Sequence, residues 1–149
     1  KSMDEGVSAG YLVVDIKATL VDGSFHPVDS SGICFEIAGG HAFLKGLKEA
    51  KPVLLEPVMK AAITVSDEDT GEIMGDLNGK RGKILGMNPE GNGTTIIEAE
   101  VPQSEMLKYA TDLRSITQGR GSYTLEFDHY EEVPNHMLDR VVQVKESEE

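Results

Sequence analysis

Apolar and polar positions partly alternate in the β-branched run from residue 12 to residue 21. Val14, Ile16, Ala18 and Leu20 share one face and Asp15, Lys17 and Thr19 the other, which predicts a strand with one buried side. Asp22-Gly23 ends the run, and Ser24-Phe25-His26-Pro27 follows as an exposed loop. Beyond Asp29-Ser30-Ser31, which supply N-caps, the period changes. Ile33, Ile37, Gly40, Leu44 and Leu47 recur at steps of three or four, Lys48 and Lys51 suit a helix C-terminus, and Pro52 stops it. Gly39 and Gly40 each cost such a helix about 1 kcal/mol relative to alanine, so a close crossing by another backbone is expected there.

A strand is expected over 53–65, with Pro57 marking an edge or a bend. Asp67-Glu68-Asp69-Thr70 then caps a helix running to about Gly79. A strand over 83–87, a turn over 88–93 and a strand over 95–101 follow; in the last, Ile97, Ala99 and Val101 alternate with Glu98 and Glu100. After Pro102, Ser104 reads as an N-cap with Glu105 in the first turn. Met106, Leu107, Ala110, Leu113 and Ile116 read as the buried side of that helix. Gly119-Arg120-Gly121 breaks it, residues 122–130 form another strand, and 135–144 a last short helix.

From Pro52 onward the order is βαββαβ, the split-βαβ, ferredoxin-like arrangement of an α+β domain in which two helices cover one face of four antiparallel strands. Residues 1–51 offer one strand and one helix, too little to close a sheet, and read as half of another domain. The organisation expected is therefore 1–51, then 52–134, then a helix and frayed acidic tail over 135–149. Asp76-Leu77 followed by Arg81-Gly82 recurs as Asp112-Leu113 followed by Arg120-Gly121, a weak internal duplication at two helix-to-strand junctions. An unpaired strand at 12–21 invites pairing with a second copy of the chain.

Charge changes the picture only once it is distributed. The 149 residues carry a net −12, which as a total argues against nucleic acid. Residues 1–75 hold 12 acids and 6 bases, and 121–149 hold 8 acids and 2 bases, so each flank is −6. Residues 76–120 hold 6 of each, including Arg81, Arg114 and Arg120, so RNA contact through a few local arginines stays open. The lone Cys34 excludes a disulfide framework and multi-cysteine metal sites. No apolar run reaches the roughly 18 residues of a membrane span, so no membrane partner and a cytoplasmic setting are expected. The polar opening Lys1 to Gly6 reads as the middle of a longer chain.

Catalytic signals are poor. No phosphate-binding GxxxxGK[ST] loop occurs, and the glycine pairs do not follow a strand to open a helix, so no nucleotide cofactor is expected within these residues. Cys34 falls on the apolar side of its helix and reads as packing. His129, Glu131, Glu132 and His136 fit no standard metal-ligand spacing, and the acids from Asp67 to Asp69 suit a helix cap better than a calcium loop. His26 beside Phe25 is more interesting. An aromatic face with an imidazole suits unpaired RNA edges, while an ordinary loop histidine is the plainer reading. Arg81-Gly82 and Arg120-Gly121 suit phosphates, or are solvated helix ends.

Several long motifs in order resemble bacterial elongation factor G over residues 6 to about 134. They are Gly10 to Asp15, Asp22 to Ser31, Lys51 to Met59, Gly75 to Leu77 with Arg81-Gly82, Tyr109 to Gly121, and Phe127 to Tyr130. The resemblance implies that 1–51 is the second half of domain IV, which reaches the decoding region of the small ribosomal subunit and holds transfer RNA and messenger RNA during translocation. Asp22, Gly23, Ser24, Phe25 and His26 match the tip of that arm. It implies that 52–134 is domain V, which lies near the sarcin-ricin loop and stalk base of the large subunit, with Arg81, Arg114 and Arg120 as its contacts. GTP and magnesium would belong to the parent protein and not to this fragment, which is expected to have no GTPase activity. Leu12 in place of the usual proline, the glycines Gly39-Gly40 and the acidity leave room for a recycling paralogue. A ribosomal protection protein shares these domains, but the His-Pro-Val-Asp-Ser-Ser tip argues against it. From another class, the architecture alone also suits an acylphosphatase or a small-molecule sensing domain. An acylphosphatase needs a basic anion-cradling loop, however, and Ser66 to Asp69 is acidic there.

Overall fold

The computed structural model describes residues 2–5 and 10–139, which divide into two compact units at Leu54/Leu55. The expected tail over 145–149, and the end of the last expected helix from residue 140, lie outside the described residues.

The first unit contains α1 (Ser2–Glu5) and α2 (Gly32–Glu49). Ser31 caps α2 as its residue type predicts, its hydroxyl accepting from the Cys34 N–H at 3.4 Å. The stripe is less faithful. Leu47 is buried, but Ile33 and Ile37 are more than half exposed, and Cys34 is exposed where packing was expected. No backbone approaches Gly39, where an added Cβ would meet open space. The strand expected over 12–21 does not form. Val13 N–H donates to the Met3 carbonyl at 2.9 Å, yet no ladder follows among the described residues, and Leu20 and Val21 stand about nine-tenths exposed. Alternation alone cannot hold a strand without a neighbour for its backbone donors and acceptors. The copy-to-copy pairing expected of its edge therefore loses its basis.

The second unit is the βαββαβ domain. Its elements are β1 (Leu55–Ser66), α3 (Thr70–Gly79), β2 (Lys83–Pro89), β3 (Thr94–Pro102), α4 (Gln103–Met106), α5 (Tyr109–Ile116) and β4 (Ser122–Glu132), followed by a 3₁₀ turn over Asn135–Met137. The strands run β2-β3-β1-β4 with every pair antiparallel, the order of a ferredoxin-like sandwich. Alternate residues of the central strands, Ala61, Ile63 and Val65 on β1 and Ile97, Ala99 and Val101 on β3, are essentially inaccessible. They pack against Ile73 and Leu77 of α3 and against Met106, Tyr109 and Leu113. Pro57 falls beside a register shift at Val58/Met59, the bend it foretold, although β1 is a central strand.

The helix expected after Pro102 is two pieces, α4 and α5. Ser104 lies inside α4 instead of capping it, and Leu107 and Ala110 are exposed. Tyr109 takes the core place that a continuous helix would have given to its neighbours. Its ring meets Tyr123 edge-on with centroids 5.1 Å apart.

Candidate functional site

The loop ahead of α2 is held by its own polar groups. Gly23 N–H donates to Asp22 Oδ1 at 2.7 Å, His26 N–H to Ser30 Oγ at 2.7 Å, and Ser30 N–H back to the His26 carbonyl at 3.1 Å. His26 Nδ1 sits 3.1 Å from Asp29 Oδ2 and 3.4 Å from the Val28 nitrogen. Protonated, it donates to Asp29; bare, it accepts from Val28. In both states Nδ1 is tied to the loop, so Nε2 is the ring atom left to meet a partner. Phe25 is 74% exposed beside it. Asp22, Gly23, Ser24, Phe25 and His26 thus form one exposed tip on a capped helix. Ser31 also hydrogen-bonds the Cys34 sulfur, and these contacts hold that exposed thiol below its usual pKa.

The three arginines singled out from sequence are not equivalent. Arg81 adopts a left-handed backbone at φ 58°. Its guanidinium grips Glu56 in a fork, with Nη1 to Oε1 at 2.6 Å and Nη2 to Oε2 at 3.0 Å. Nε also donates to Glu105 at 3.3 Å and Nη2 to Ser104 Oγ at 3.3 Å. Glu56 above all, and Glu105 with it, raise the arginine pKa further. Arg81 is therefore committed to tying β1, α4 and the α3–β2 turn together. Arg120 is open, its side chain 57% exposed, with Nε on the Thr117 carbonyl at 3.2 Å and Nη2 3.6 Å from Asp69. Arg114 is exposed in the last turn of α5.

Between the arginine turns lies a network that spacing did not reveal. Lys80 Nζ bridges Asp76 at 2.5 Å and Asp112 at 3.0 Å, the two aspartates of the repeated motif. Its ammonium lies 5.8 Å from the Tyr109 ring centre. Burial, and then the charges of Asp76 and Asp112, push the Tyr109 phenol well above its usual range. The duplication is thus expressed as two helix ends joined through one lysine. Asp67, Asp69 and Thr70 serve the β1–α3 junction: Thr95 Oγ1 donates to Asp67 at 2.7 Å and Ser66 Oγ to Asp69 at 2.7 Å. The acids there leave no basic cradle of the acylphosphatase kind.

His129 pairs with Asp128 at 2.5 Å. His129, Glu131, Glu132 and His136 are not assembled as a metal site: among the described residues no group of three or more His, Cys, Asp or Glu is placed to hold an ion. No described helix is long and apolar enough to cross a membrane.

Residues 53–141 match the family described as Elongation factor G C-terminus, and residues 1–51 match Elongation factor G, domain IV. The chain belongs to the elongation factor G family. A crystal structure of a protein from Thermus thermophilus is similar over 98% of this chain, at 44% identity and a TM-score of 0.80. The chain spans only 22% of the length of that one. In elongation factor G terms, the exposed tip and α2 belong to domain IV and the four-stranded sandwich to the C-terminal domain. The junction between the two matches falls close to the division at Leu54/Leu55.

Proposed function

We propose that these residues are the positioning part of a GTP-dependent translocation factor, acting on the ribosome by shape and electrostatics instead of bond chemistry. The observation that carries this is the tip: Phe25 and the His26 ring are exposed while Nδ1 and the backbone of His26 are held by Asp29 and Ser30. A preorganised aromatic and imidazole pair suits unpaired bases and ribose hydroxyls of a transfer RNA and messenger RNA duplex in the decoding region. Arg114 and Arg120, exposed on one end of the C-terminal domain, suit phosphates of large-subunit ribosomal RNA near the stalk base. Arg81 holds the domain from which they project. GTP and magnesium would act elsewhere in the parent protein, and the setting would be the cytoplasm.

The test is single-turnover translocation by the full-length parent carrying His26→Ala. The expected result is a translocation rate lowered by about tenfold or more with GTP hydrolysis unaltered, the pattern of a lost interaction made only during movement. An unaltered translocation rate overturns the assignment of His26. Arg120→Ala should instead weaken ribosome binding and reduce its salt dependence.

A further inference from the structure

We propose that the outer edge of β4 docks a basic, extended segment of a partner protein by strand addition, its alternate side chains reading the two faces of the strand. The proposal goes beyond the ribosomal reading and does not rest on it. β4 is 11 residues long and, among the described residues, hydrogen-bonded only to β1. Edges of that length usually carry lysine, proline or another block against pairing. β4 has neither residue; its guards are a bulge at Asp128 and the acids Glu126, Asp128, Glu131 and Glu132. Acids repel a second copy of the same edge and repel nucleic-acid phosphate, while they attract a basic strand.

Both faces of the strand are equipped. Leu125 pairs with Ala61 on the helix-covered side, and Phe127, the next residue on that side, pairs with Met59. Phe127 and Tyr130 hold their ring centroids 5.1 Å apart and are 56% and 62% exposed. On the opposite face a polar pocket of about 400 Å³ has Val58 and Pro102 among its walls, with Arg81, Lys83, Glu100, Asp128, His129 and Glu131 around them. Arg81 is already matched by Glu56 and Glu105, and Lys83 by Glu100 at 3.5 Å. Asp128, shared with His129, and Glu131 remain to receive a guest cation. Asp128 is the extra residue of the register shift opposite Val58/Met59, and a bulge of this kind re-aims its side chain. An added strand sends successive side chains to opposite faces, so the matching segment alternates arginine or lysine, entering the pocket, with apolar residues that cover the aromatic pair.

The test titrates the 149-residue chain with a synthetic nine-residue peptide of alternating arginine and valine, following backbone amides by NMR and hydrogen exchange. Controls are the same peptide with glutamate for arginine and a nine-residue oligouridylate. Alternate amides of β4 should gain protection with the arginine peptide. Asp128→Lys with Glu131→Lys should weaken binding by about tenfold or more. Phe127→Ser should weaken it without altering its salt dependence. Amides of β1 and β3 report that each variant remains folded, and Glu131→Gln supplies a milder change at the same place. No protection on β4 with the arginine peptide, equal binding by the glutamate peptide, an unaffected lysine variant, or protection of the same β4 amides by the oligonucleotide alone would each overturn the proposal.

Discussion

Arg81 shows how far a residue's type can stand from its role. In sequence it shares an Arg-Gly junction with Arg120, and both suit phosphate; in the fold Glu56, 25 positions upstream and almost inaccessible, claims it. No local pattern announces such a partner, because pairing across 25 residues is fixed only when β1 and the α3–β2 turn meet. Arg81→Met should lower stability by about 3 kcal/mol, since it leaves the Glu56 carboxylate buried and unpaired. Adding Glu56→Leu should recover much of the loss, and urea unfolding measures both. His129 makes a pH-dependent case. Its hydrogen bond to Asp128 raises the imidazole pKa in the fold. Its stabilising contribution is therefore full below the unfolded value of about 6.5 and lost as pH rises through the higher folded value. Wild type should thus melt above His129→Gln at pH near 5.5, and the difference should vanish near pH 8.5.

Elements were legible in proportion to how locally they are determined. The four strands of the C-terminal domain and the Ser31 cap follow from alternation and capping chemistry that neighbours in sequence supply, whereas the expected cap of α3 is not made: Asp69 stands at its N-cap position without a side-chain cap bond and accepts from Ser66 Oγ instead. The strand over 12–21 had the same alternation but lacks a pairing neighbour, and the break between α4 and α5 answers to Tyr109 filling the core, which is tertiary. The helix-to-strand junctions depend on backbone approach. An added Cβ at Gly82 would lie 2.7 Å from the Leu77 carbonyl oxygen, which itself accepts the Gly82 N–H at 2.7 Å. Gly82→Ala must move backbone and should cost about 2 kcal/mol. At Gly121 the nearest atoms are side chains of Leu113 and Thr117 at 3.0 Å, a less severe approach than the backbone oxygen at Gly82, so Gly121→Ala should cost less in the same melt.

Across the whole molecule, burial is unequal. Among the described residues, the buried apolar ones apart from Leu47 belong to the second unit. Amides of α2 should therefore exchange at far lower opening free energy than those of β1 and β3, and urea should unfold the chain in two steps. The charge follows a different division, with Arg81, Arg114 and Arg120 in a neutral middle over 76–120 that lies, like the acidic flank after it, within the second unit. Overall acidity and exposed tips together call for contacts made by few residues in a geometry fixed beforehand, which composition alone could not reveal.

Leu55, where the sandwich begins, is the register partner of Glu132, where its last strand ends. The domain is thus a loop closed at its own doorway: chain enters and leaves at one point, and the first strand made cannot gain its second neighbour until the last is complete. During synthesis the spine of the sheet waits with one side open for almost the whole length of the domain, and a ribosome that stops early releases a sheet that still has an unfinished centre.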